Sequence, residues 1–78
     1  MRFRAFFRDM PPPERAEFAA RAGSTVGYLD QVAYGNKQIE LGLADVLVAL
    51  SGGELTLDDV PLTERAKRQR AVRSGLHR

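Results

Sequence analysis

The sequence predicts an all-α chain, a compact bundle of four to five short helices, and two observations carry that prediction. Apolar residues recur at helical spacing in successive stretches: Phe3, Phe6, Phe7 and Met10, then Phe18, Ala19 and Ala22, then Leu29, Val32 and Ala33, then Leu43, Val46, Leu47 and Leu50. Glycine or proline punctuates the junctions, at Pro11-Pro12-Pro13, Gly23, Gly35 and Gly52-Gly53. The 78 residues make one domain, whose single core leaves it marginally stable, so a partner surface is expected.

Taken in order, residues 2–10 read as an amphipathic first helix, with Arg2, Arg4, Arg8 and Asp9 opposite the aromatics. These arginines are either a solvated face or contacts to phosphate. The proline run ends that helix, because each proline lacks an N–H and restricts the residue before it. A second helix is expected from about Glu14 to Ala22 and a third from about Thr25 to Tyr34. Between them Gly23 suits a left-handed helix end, and Ser24-Thr25 offers hydroxyls as caps. Ala19 lies four residues before that glycine and Leu29 six after it, which is the spacing of a helix-turn-helix.

With Leu29 inward, a helix of about 100° per residue leaves Gly27, Gln31 and Tyr34 outward, with Tyr28 and Asp30 on the flanks. A face meant only for water would carry Lys, Glu or Arg; this one presents a glycine, an amide and two tyrosines with a single charge. Gly35-Asn36-Lys37-Gln38 is a polar turn, and Ile39–Ser51 is a fourth helix, apolar nearly all round and therefore central or shared with a second subunit. Glu54–Val60 fits a short strand or one helical turn capped by Thr56 and Asp58. The Asp58-Asp59 pair reads as a cap or turn, not an acid–base dyad. Thr63 then caps a fifth helix to about Arg73, with a thin apolar side of Leu62, Ala66 and Val72. The chain thus divides into a domain over residues 1–62 and a basic C-terminal helix or partly disordered tail over 63–78.

Composition excludes several classes of function. There is no cysteine, hence neither a disulfide nor a thiolate metal site, and the lone His77 stands almost at the end of the chain. No catalytic or metal-ligating set and no cofactor is expected, since no nucleophile, base and orienting partner can be assembled. No apolar run approaches the roughly 20 residues of a membrane span, and Arg2, Arg4 and Arg8 interrupt the N-terminal aromatics, so a cytoplasmic location without membrane contact is expected. The net charge of +2 conceals an asymmetry. Residues 1–8 hold three arginines and no acid, residues 9–64 hold ten acids against Arg15, Arg21 and Lys37, and residues 65–78 hold six bases and no acid.

Three stretches, Phe18-Ala-Ala-Arg-Ala-Gly23, Thr25-Val-Gly-Tyr-Leu-Asp-Gln-Val-Ala-Tyr-Gly35 and Leu43-Ala with Leu50-Ser-Gly-Gly53, resemble the lambda-repressor-like helix-turn-helix family, and within it the small Cro-type and YdaS-like regulators of phages and bacteria. The resemblance covers about residues 3–60. It implies a homodimer on a palindromic DNA operator with the third helix in the major groove. It also implies base-edge contacts at Thr25, Val26 and Gly27 and one turn later at Asp30 and Gln31, and phosphate contacts at Arg15 and at Asn36, Lys37 and Gln38. Asp30 and the Gln38-Ile39 pair depart from the family's more basic pattern.

The chemistry of these side chains fits in part. Gln31 can pair bidentately with adenine, Thr25 and Val26 can offer methyls to thymine, and Asp30 can accept from cytosine N4. Bland alternatives stand beside each: Val26 as an extension of the inner stripe, Tyr28 lying over the bundle, Gln31 merely solvated. Arg2, Arg4, Arg8 and the stretch from Arg65 to Arg78 carry most of the positive charge, and the ends are expected to supply much of any affinity for phosphate. The reading is a sequence-specific, DNA-binding transcriptional regulator. The alternative is a protein-interaction module, such as an antitoxin or anti-repressor, docking through Tyr28, Gln31 and Tyr34.

Overall fold

A computed structural model describes residues 2–75, which form five helices, one 3-10 turn and no β-strand. The helices are α1 (Arg2–Arg8), α2 (Pro12–Arg21), α3 (Val26–Ala33), α4 (Leu41–Leu50) and α5 (Glu64–Gly75), with the 3-10 turn at Leu57–Asp59. His77 and Arg78, the last residues of the expected basic tail, lie outside the described residues.

The first three helices share an aromatic core. Phe3 and Phe7, one turn apart on α1, are fully buried and stack at 5.6 Å. Phe18 of α2 meets Phe7 at 6.2 Å, and its ring is edge-on to Phe6 at 5.5 Å. Leu29, Val32 and Ala33 supply the buried stripe of α3, against which α1 and α2 both pack. α2 begins at Pro12, two residues before the expected Glu14. A proline in the first turn loses nothing, because N–H groups there have no partner within the helix. The helix ends as its glycine requires: Gly23 takes φ 70°, its N–H donates to Ala20, and the Ser24 N–H donates to Ala19 at 2.9 Å.

The second half closes over the same core through Ile39, buried and paired by backbone to a distant segment. Its N–H donates to Pro61 at 2.8 Å and its carbonyl accepts from Thr63 at 3.0 Å. That commitment removes Ile39 from the helix, so α4 starts at Leu41 instead. On α4 the buried side chains are Ala44 and Leu47, because α5 and the 3-10 turn cover that side. Val46, expected on the inner stripe, is 39% exposed and shares an outer side with Gly42 and Ala49.

Beyond α4 the buried Ser51 ties the chain down, donating to Val48 at 2.6 Å and accepting from the Leu55 N–H at 3.0 Å. The Glu54–Val60 stretch resolves as the helical turn and not a strand. Its capping carboxylate is Asp59, which accepts from the Thr56 N–H at 2.8 Å, while Asp58 faces α5. Thr63 caps α5, accepting from the Ala66 N–H at 3.1 Å. The apolar side of α5 is as thin as expected: Ala66 is fully buried and Val72 is 65% exposed. Residues 70–75, whose order the sequence leaves open, continue the helix. The Cα radius of gyration, 12.5 Å, is that of a compact chain of this length.

Candidate nucleic-acid interface

The outward side of α3 carries the residues the sequence nominates. Thr25 is the N-cap, its hydroxyl accepting from the Tyr28 N–H at 3.1 Å, which fixes where the helix begins. Gly27, Gln31 and Tyr34 are exposed on one stripe, and Tyr28 is 37% exposed beside it. A methyl placed at Gly27 would meet nothing within 4 Å, so the surface there is open down to the helix backbone. Val26 is half-buried against the core, in keeping with its reading as an extension of the inner stripe.

Asn36, Lys37 and Gln38 follow α3 as an exposed loop. Its entry is set by Gly35 at φ 79° and by the Asn36 N–H donating back to Gln31 at 2.9 Å. Arg15 is the fourth residue of α2 and half-buried. Its Nε is enclosed without a hydrogen-bond partner, so contact with an anion would fall to its terminal nitrogens.

Two arginines that the sequence places only in a basic end stand beside this face. Because α1 packs along α3, Arg8 reaches Asp30 and donates to its carboxylate at 3.0 Å. The Arg4 and Arg8 guanidiniums both lie over the Tyr34 ring, 4.5 and 5.8 Å from its centroid. The sequence signal for this cluster is the Arg4/Arg8 spacing of one helical turn; what it lacks is the register of α1 against α3.

The bases of α5 are arranged differently. Arg70 meets Asp58 at 2.7 Å, Arg73 meets Asp45 at 2.8 Å, Arg65 lies 3.7 Å from Glu40 and Lys67 lies 3.2 Å from Glu64. The hydrogen bond from Arg73 holds the Asp45 carboxyl below the ordinary carboxylate range, and that from Arg70 does the same for Asp58. Arg2, though exposed, also lies against the body of the protein, donating to the Glu54 carbonyl at 3.1 Å with Asp59 at 4.0 Å. Four of the five bases of α5, Arg68 excepted, thus have an acidic partner, away from α3.

Among the described residues no cluster of three or more His, Asp or Glu could hold a metal ion, and no helix is long and apolar enough to cross a membrane. No family model matches the chain, and neither the curated proteins nor the solved structures contain a significant match.

Proposed function

We propose that the protein is a sequence-specific DNA-binding transcriptional regulator, with α2 and α3 as its helix-turn-helix and α3 as the helix that enters the major groove. The observation that carries this reading is the outward side of α3, where Gly27, Gln31 and Tyr34 are exposed and the flanking carboxylate, Asp30, is already paired with Arg8. An exposed amide one turn beyond an open glycine is the arrangement that brings a side chain to a base edge while the helix backbone lies close to the groove. Thr25 and Gly27 open the helix toward the bases; Arg15, Asn36, Lys37 and Gln38 flank it toward the backbone phosphates.

Such modules act in pairs on half-sites about one DNA turn apart, and the outer side of α4, with Gly42, Val46 and Ala49, is the apolar surface available to a second copy. The competing reading, a protein-docking module, is favoured by the exposure of Tyr28 at 37% and Tyr34 at 47%.

Selection of duplexes from a randomised DNA pool at about 0.15 M salt separates the two. A palindromic consensus bound roughly a thousandfold or more above bulk DNA, with Gln31→Ala reducing the protein to sequence-blind affinity, supports the regulator. Recovery of no consensus sinks it.

A further inference from the structure

We propose that Arg4 and Arg8, braced over Tyr34, form a seat for a DNA backbone phosphate on the flank of α3, and that the Asp30 carboxylate is the resident counter-ion which that phosphate displaces. The inference rests on the DNA-binding reading above and adds to it the residues that grip the backbone and the device that restrains them.

The seat holds two cations and one anion. Arg4 and Arg8 stand one turn apart on the same side of α1, where like charges repel. They are held together there by the negative face of a single ring, at 4.5 and 5.8 Å. Among the described residues the Asp30 carboxylate accepts only from Arg8, at 3.0 Å, and Arg4 has no acidic partner. α5 offers the contrast, since Arg70 and Arg73 each have a carboxylate of their own. Beside α3, then, two guanidiniums stand with one carboxylate, whereas Arg70 and Arg73 of α5 stand with two.

The chemistry of the incoming group follows from the donors. A guanidinium presents a planar fork that carboxylate and phosphate oxygens both fit. Asp30 takes one prong of that fork, through a single terminal nitrogen of Arg8, with side-chain exposures of 40% for Arg8 and 32% for Asp30, so solvent and ligand both reach the pair. Tyr34 closes the outward stripe of Gly27 and Gln31, which puts the seat at the end of the surface that faces the bases. A phosphate at that point belongs to the strand bordering the groove that α3 enters. Asp30 then lowers the affinity for DNA of any sequence, because every duplex must displace it before Arg8 is free.

The test measures binding of a 20-bp duplex of scrambled sequence and of the selected duplex across a salt series, for the wild-type chain, Arg4→Gln/Arg8→Gln and Asp30→Asn. Each neutralised phosphate contributes about 0.9 to the slope of log K against log salt. The double variant is expected to lose roughly 1–2 units of slope on both duplexes. Asp30→Asn is expected to bind both the scrambled and the selected duplex several-fold more tightly, by about the same factor. All the substituted side chains are at least partly exposed, and far-UV circular dichroism checks that the helices persist. A wild-type slope in the double variant, or weaker scrambled-duplex binding by Asp30→Asn, overturns the seat. If the wild-type chain selects a consensus while the double variant keeps its slope, the seat alone is lost. If the wild-type chain binds neither duplex, the DNA-binding reading falls and the seat falls with it.

Discussion

Arg73 reaches back from α5 to Asp45 on α4 and holds its carboxylate through both terminal nitrogens, at 2.8 and 3.1 Å. One turn earlier Arg70 holds Asp58 at 2.7 Å. With Ala66 the buried side chain of α5, its C-terminal half is held to the body mainly by charge.

That arrangement makes α5 sensitive to acid. Asp45 and Asp58 are both held below the ordinary carboxylate pKa by their hydrogen bonds from Arg73 and Arg70. A depressed carboxylate contributes stability that is fully present above its unfolded value, about 3.9, and is lost as pH falls through the lower folded value. Helicity followed by far-UV circular dichroism should therefore hold from neutrality to about pH 4 and drop below it. Asp45→Asn/Asp58→Asn should show the lower helicity already at pH 7. Because both pairs are solvent-exposed, high salt should shrink the difference. An acid titration identical in the double variant and the wild-type chain would remove these pairs from the account.

A second outcome follows for the DNA-binding reading. Arginines that each keep a carboxylate of their own neutralise no phosphate and so displace no counter-ion from the DNA; Arg70→Gln/Arg73→Gln should therefore leave the salt slope for duplex DNA near the wild-type value while lowering helicity. A slope reduced by about 0.9 per arginine would show that α5 lets go of its acids to grip the backbone.

How much of this was legible in the sequence depends on whether an interaction is local or distant. The α2–α3 unit was legible because its determinants are local: Gly23 for a left-handed φ, Thr25 for a cap, and Phe18, Ala19, Leu29, Val32 and Ala33 at helical spacing, all of which are buried. Pairing across the chain was not. The acid excess of residues 9–64 and the basic stretch after Glu64 were plain in the sequence, but not that they would meet through Arg70–Asp58 and Arg73–Asp45, because that depends on how α5 docks. Ile39 misled for the same reason: its apolar side chain fits the helix pattern, and only the bridge to Pro61 and Thr63 draws it out of α4. At the candidate interface Gln31 and Gly27 followed from periodicity, whereas Arg8 on Asp30 spans 22 positions and needed the register of α1 on α3.

The aromatic core sets the stability of the α1–α3 half. Phe7 is fully buried between Phe3 and Phe18, so Phe7→Ala removes a ring from both contacts and leaves a cavity, at a cost of about 3–5 kcal/mol. Domains of this size hold on the order of 5 kcal/mol in total. Urea denaturation should find the variant's midpoint moved most of the way toward zero denaturant; a midpoint close to the wild-type value would show that the core repacks around the loss.

Two glycines should respond with opposite sign. Gly23 sits at φ 70°, which an L side chain enters at a cost of roughly 1–2 kcal/mol, so Gly23→Ala should destabilise although a methyl there meets nothing within 4 Å. Gly27 lies within α3 at ordinary helical φ, also with open space, and Gly27→Ala should stabilise by up to about 1 kcal/mol through helix propensity. In a domain this small that is a rise in melting temperature of several degrees. If α3 presses its backbone toward base edges at Gly27, the same methyl intrudes on the contact. The more stable variant should then bind the selected duplex less tightly and scrambled DNA about as well as before. A variant that is more stable and equally tight on the selected duplex would place Gly27 off the contact and turn attention to Tyr28 and Tyr34 as a protein-docking surface.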